Sequence, residues 1–85
     1  ETTIAELKER IAKTIAFINT IPADAFENAE ERTINVKAGP RELSFPAAQY
    51  YHGYAVPNFY FHMTTCYNIL RANGVEVGKT DFLGA

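Results

Sequence analysis

With 85 residues the chain forms one domain at most, and a chain this short buries only a modest hydrophobic core. Its hydrophobic fraction of 47% excludes a disordered segment, and its net charge of −2, with basic residues spread along the chain, argues against a nucleic-acid-binding surface or a basic membrane patch. The single cysteine excludes a disulfide scaffold, and no apolar run approaches the ~18 residues of a membrane span. We therefore expect a soluble cytoplasmic protein that binds neither nucleic acid nor membranes.

The first predicted element is an amphipathic helix from about residue 4 to about residue 19. Thr3 and Glu6 have the spacing of a capping box, in which each side chain bonds the backbone amide of the other residue. Apolar residues recur at helical spacing and form one stripe, the aliphatic stripe: Ile4, Leu7, Ile11, Ile15 and Ile18. Two pairs four residues apart, each with the acid first, favour the helix further: Glu6–Arg10 and Glu9–Lys13.

A turn and a β-hairpin are predicted next. The turn follows Pro22, and we expect Phe26 to anchor it in the hydrophobic core. Apolar and polar residues then alternate around Ile34–Val36 and again around Leu43–Phe45, on either side of the turn segment Ala38–Arg41. Two strands are only marginally stable alone, so the apolar face of this hairpin is expected to cover one end of the helices.

A second long helix is predicted from Pro46 to Ala72, with Asn73-Gly74 as its C-terminal stop. Pro57 removes one backbone hydrogen bond and crowds the carbonyl group of Gly53, so a kink or break is expected between Gly53 and Asn58. The apolar stripe of this helix consists of Phe59, Met63, Cys66 and Leu70, flanked by Tyr60, Phe61 and Tyr67. The remaining tail is expected to dock through Val75, Val77, Phe82 and Leu83.

The predicted fold is therefore mainly α, with two long helices and a hairpin, and these elements do not close a core. Packed only on each other, the two apolar stripes would leave a large hydrophobic patch in water, which soluble monomers rarely tolerate. A four-helix bundle needs two more helices. We expect them from a second copy of the chain, in a symmetric homodimer, or from an N-terminal half of the domain that this sequence lacks.

The segment from Pro57 to Arg71, PNFYFHMTTCYNILR, resembles the C-terminal signature of an uncharacterised microbial family grouped with the DinB-like and YfiT-like helical bundles. The later NGV, GK and DFLG segments continue the similarity, and residues 17–45 resemble the third helix and hairpin of that family. The resemblance implies a four-helix bundle of about twice this length. Residues 1–85 would then form a single unit, the C-terminal half of a DinB-like bundle domain.

The same resemblance raises the question of a metal, because many DinB-like proteins hold a divalent cation with three histidines, two of them four residues apart on the last helix. His62 matches the first histidine of that pair, but Cys66 stands at the second position. An imidazole and a thiolate one turn apart can both ligate zinc, yet they supply only two ligands. We therefore expect no metal cofactor, with a divalent metal such as zinc on His62 and Cys66 as the alternative.

Other candidate site residues are aromatic. Tyr54, Tyr60, His62 and Tyr67 are predicted to line a ligand-binding surface, because such rings combine apolar area with a polar tip. Ordinary packing in the core and at its boundary is the competing interpretation of the tyrosines. Cys66 as a nucleophile activated by His62 is a further hypothesis, opposed by its place on an apolar stripe, where a thiol is usually inert.

No phosphate-binding loop, dinucleotide fingerprint, zinc-protease motif or nucleophile elbow is present in the sequence. Two functions stay open. The first is a non-catalytic module with a ligand-binding or assembly role, and the second is a DinB-like metal-dependent transferase or hydrolase. Fold analogy alone is weak support for the second.

Overall fold

A computed structural model describes all residues, 1–85, and shows a mainly helical chain with one two-stranded antiparallel sheet. Helix α1 spans Ile4–Asn19, and short 3₁₀ turns at Ala23–Phe26 and Ala29–Glu31 lead to the hairpin. Strands β1 and β2 span Thr33–Ala38 and Arg41–Pro46. The chain then forms helix α2, Ala47–Tyr50, a π-helical turn, Tyr51–Ala55, helix α3, Val56–Ala72, and helix α4, Lys79–Leu83.

The predicted capping box starts α1. The Glu6 amide donates to Thr3 Oγ1 at 3.1 Å, and Glu6 Oε2 accepts from the amides of Thr2 at 2.7 Å and Thr3 at 3.2 Å. The bonds that the Glu6 carboxylate accepts, the one from the Thr2 amide first, lower the pKa of Glu6 below its ordinary value. The predicted Glu6–Arg10 pair is wrong for the same reason: the cap occupies Glu6, and Arg10 binds Glu1 at 2.9 Å. The Glu9–Lys13 pair, also at 2.9 Å, is confirmed.

The hairpin has the predicted alternation. Ile34 pairs with Phe45 and Val36 with Leu43, and these four side chains are half-buried on one face. Phe45 extends from that face to the rings of Tyr50 at 6.1 Å and Tyr54 at 5.3 Å between centroids. The hairpin therefore lies on the first turns of the second long helix but not on α1, so the expectation that it covers one end of both helices holds only for the second.

The predicted break in the second long helix takes a different form. The backbone stays in the right-handed helical region through Tyr51, Ala55 and Val56, so the helical run 47–72 is continuous. What changes is the bonding: the Val56 amide donates to the Tyr51 carbonyl, one residue further than in an α-helix. Pro57 itself occupies a regular position in the first turn of α3, and the wider turn before it relieves the crowding that a proline ring imposes.

The C-terminal stop at Asn73-Gly74 is confirmed. Gly74 adopts a φ of +89°, and the amide of Val75 donates to the carbonyl of Leu70, which together form a Schellman motif. Helix α4 was not predicted. It places Phe82 edge-on against Tyr67 at 5.1 Å, whereas Leu83 stays 62% exposed and its expected docking is wrong.

No residue of the chain is buried. The accessible surface is 7561 Å², whereas a compact protein of 9.5 kDa exposes about 5,000 Å². The radius of gyration is 16.5 Å, compared with about 12 Å for a compact chain of this length. Helix α1 packs along neither α3 nor the hairpin, so the two apolar stripes do not meet within one chain. Phe26, the predicted core anchor, is 64% exposed because no layer covers its turn.

Candidate functional site

An open, largely apolar groove lies along the second long helix, and we call it the aromatic groove. It has a volume of about 620 Å³. It is lined by Tyr50, Tyr54, Ala55, Asn58, Phe59, His62, Met63 and Cys66. None of these side chains is a carboxylate, an ammonium or a guanidinium group, so the groove suits an uncharged, largely apolar occupant.

The π-helical turn brings the two ends of the aromatic groove onto one face. In a regular α-helix each residue advances about 100° around the axis, so Tyr50 and Cys66 would lie about 160° apart. One extra residue in a turn reduces that angle to about 60°. The upstream tyrosines consequently share a face with the downstream His62 and Met63.

His62 is held in a defined orientation within this groove. Its Nδ1 lies 2.8 Å from the carbonyl oxygen of Asn58. Because a carbonyl oxygen only accepts, Nδ1 is the donor of this bond. Cys66, one turn further on, is exposed.

The predicted metal pair therefore lines one groove, but it does not form a complete site. No group of three or more His, Cys, Asp or Glu side chains in the chain is close enough to hold a metal ion. A zinc ion on His62 and Cys66 would need a third protein ligand from another chain or segment. The chemistry of the two donors fits zinc, and their number does not.

The four predicted ligand-binding residues lie in three places. Tyr54 and His62 line the aromatic groove, whereas Tyr60 lies outside its lining and packs edge-on against Phe59 at 5.5 Å. Tyr67 lies in a second, smaller cleft of about 240 Å³ between α3 and α4. Arg71, Lys79 and Phe82 also line that cleft. Within one chain, Tyr54 and His62 are the two of these four residues that share the aromatic groove.

Sequence reasoning did not assign Tyr50, Asn58 and Phe59 to the same surface as His62. Helical spacing alone places Tyr50 on the opposite side of the helix from Cys66, and only the π turn brings them together. Pro57, with Gly53 four residues before it, was the signal of an irregular turn. It gave no indication that the turn would gain a residue and stay helical.

One family comparison identifies the chain. The model of a domain of unknown function, DUF1993, matches residues 1–83. The chain belongs to the DUF1993 family. No curated protein matches the chain. The family description assigns neither a fold class nor an activity, so the resemblance to DinB-like bundles stays a prediction. No helix of this DUF1993 chain has both the length and the apolar character needed to cross a membrane.

Proposed function

We propose that this DUF1993 domain is a non-catalytic assembly module, which completes a helical bundle by associating with a second copy of itself. One observation carries the proposal: a chain with a hydrophobic fraction of 47% buries none of its residues. The five side chains of the aliphatic stripe are between 46% and 71% exposed. Exposed apolar surface on this scale is typical of an interface rather than of a monomer surface.

The area supports a dimer of the obligate kind. Each chain exposes about 2,500 Å² more than a compact protein of its mass, so two chains have about 5,000 Å² to cover. Obligate interfaces bury roughly 2,000–5,000 Å² in total and are more hydrophobic than transient ones. A second copy presents the same two apolar faces and so doubles the helices available for a bundle.

Concentration dependence of unfolding tests this proposal. When folding and association are coupled, the midpoint of thermal or urea unfolding rises with protein concentration. We expect a rise of several degrees in the thermal midpoint over a hundredfold range of chain concentration, measured by circular dichroism. A midpoint that is independent of concentration contradicts the assembly proposal.

A second candidate function is a metal-dependent transferase or hydrolase of the DinB-like kind. The contact between His62 Nδ1 and a backbone carbonyl favours it, because metal-binding histidines are usually oriented through their second ring nitrogen in this way. Metal analysis of the freshly purified protein distinguishes the two functions. Stoichiometric zinc, nickel or manganese that survives dialysis, and that His62→Ala removes, would support the enzyme.

A further inference from the structure

We infer that the aliphatic stripe of α1 seats in the aromatic groove of a second copy of the chain, so that each chain gives one helix and receives one. This inference rests on the proposed assembly and goes further by naming the two surfaces that meet. It also explains why α1 stands away from the groove of its own chain.

The lengths of the two surfaces agree. At about 1.5 Å per residue, the stripe from Ile4 to Ile18 extends about 21 Å and the groove from Tyr50 to Cys66 about 24 Å. A helix that lays one apolar face into a groove contacts it through residues at helical spacing along its whole length. The stripe has this spacing over more than three turns of α1.

The chemistry of the two surfaces agrees as well. The stripe contains only isoleucine and leucine, and the groove is lined by aromatic, aliphatic and sulfur-containing side chains with no charged group. The Glu9–Lys13 ion pair lies on the opposite face of α1 from Ile11, because residues two apart on a helix point about 160° away from each other. Seating the stripe therefore leaves this ion pair in solvent.

The proposed contact is also compatible with a twofold symmetric dimer. Stripe and groove belong to the same chain, so a twofold dimer forms two identical contacts and leaves neither surface open. A larger ring or an open filament is not needed to cover them.

Disulfide trapping tests the contact, because Cys66 is the only cysteine and lines one end of the groove. Leu7→Cys and Ile18→Cys place a second thiol near either end of the stripe. Glu9→Cys and Ala16→Cys are matched controls, each two residues away and so on the far side of α1. Mixing isotopically light and heavy chains before mild oxidation separates bonds between chains from bonds within one, and peptide mapping identifies the coupled residues.

We expect one of the two stripe variants to couple to Cys66 of the other chain at least tenfold faster than its control. Leu7→Cys couples if the helices are antiparallel, and Ile18→Cys if they are parallel. A dimeric protein in which neither stripe variant outpaces its control, or in which the bond forms within one chain, overturns the seating of the stripe and leaves the assembly intact. A wild-type protein that is monomeric in light scattering overturns the assembly itself, and the seating of the stripe with it.

Discussion

The Ile11→Ala variant tests whether the aliphatic stripe is covered by another chain or faces water. Ile11 lies at the centre of the stripe and is 52% exposed. Full burial of an isoleucine side chain contributes about 1.5–3 kcal/mol, so covering the exposed half contributes roughly 0.8–1.5 kcal/mol per chain.

A symmetric dimer contains this contact twice, which gives about 1.6–3 kcal/mol per dimer. The dimer dissociation constant should therefore rise about 10- to 150-fold in Ile11→Ala. A cavity that does not collapse would move the effect toward the upper end of this range.

Sedimentation equilibrium of the wild type and of Ile11→Ala measures the two dissociation constants. Lys13→Ala is the control, because Lys13 lies on the far side of α1 and its exposed ion pair with Glu9 contributes less than about 1 kcal/mol. If Ile11→Ala and Lys13→Ala associate as tightly as the wild type, the stripe is not at the interface and the reasoning fails.

Three further predictions concern the helices and the groove. Gly53 is helical, and outside its chain neighbours and the backbone of its own helix no atom lies within 4 Å of where its Cβ would be, so Gly53→Ala should stabilise the protein by about 0.5–1 kcal/mol. Gly74 has a φ of +89°, so Gly74→Ala should destabilise the protein by about 1 kcal/mol, and urea unfolding measures both changes. The pKa of Glu6 is lowered, so its carboxylate stabilises the start of α1 at pH values above the ordinary carboxyl pKa, and this contribution is lost as the pH falls through the lowered pKa. Amide chemical shifts should therefore show the first turn of α1 fraying in acid. Glu6→Gln should remove this pH dependence. His62→Ala should lose no bound metal in elemental analysis, and loss of a stoichiometric metal would instead favour the enzyme.

Local signals predicted the elements of the fold well. The limits of α1 follow from the capping box at Thr3 and the apolar period, and the hairpin follows from alternation around Gly39-Pro40, where Gly39 takes the positive φ that the turn requires. The stop at Gly74 is equally local. Each of these features depends on a few neighbouring residues, so no tertiary contact was needed to predict it.

The misassigned features have two causes, missing tertiary contacts and competition between neighbouring residues. Phe26 and Leu83 were expected to dock because of their apolar character, but one chain offers no covered surface to receive them. Helical spacing alone paired Arg10 with Glu6, but the helix cap occupies the Glu6 carboxylate and Arg10 binds Glu1 instead. The aromatic groove depends on the extra residue of the π turn, which Pro57 signals without specifying.

The mass of the native protein in solution tests the central claim most directly. For residues 1–85, size-exclusion chromatography with light scattering should give a species near twice the 9.5 kDa chain mass. A stable, folded monomer near 9.5 kDa would contradict the account, because its apolar stripe and groove would then both face water.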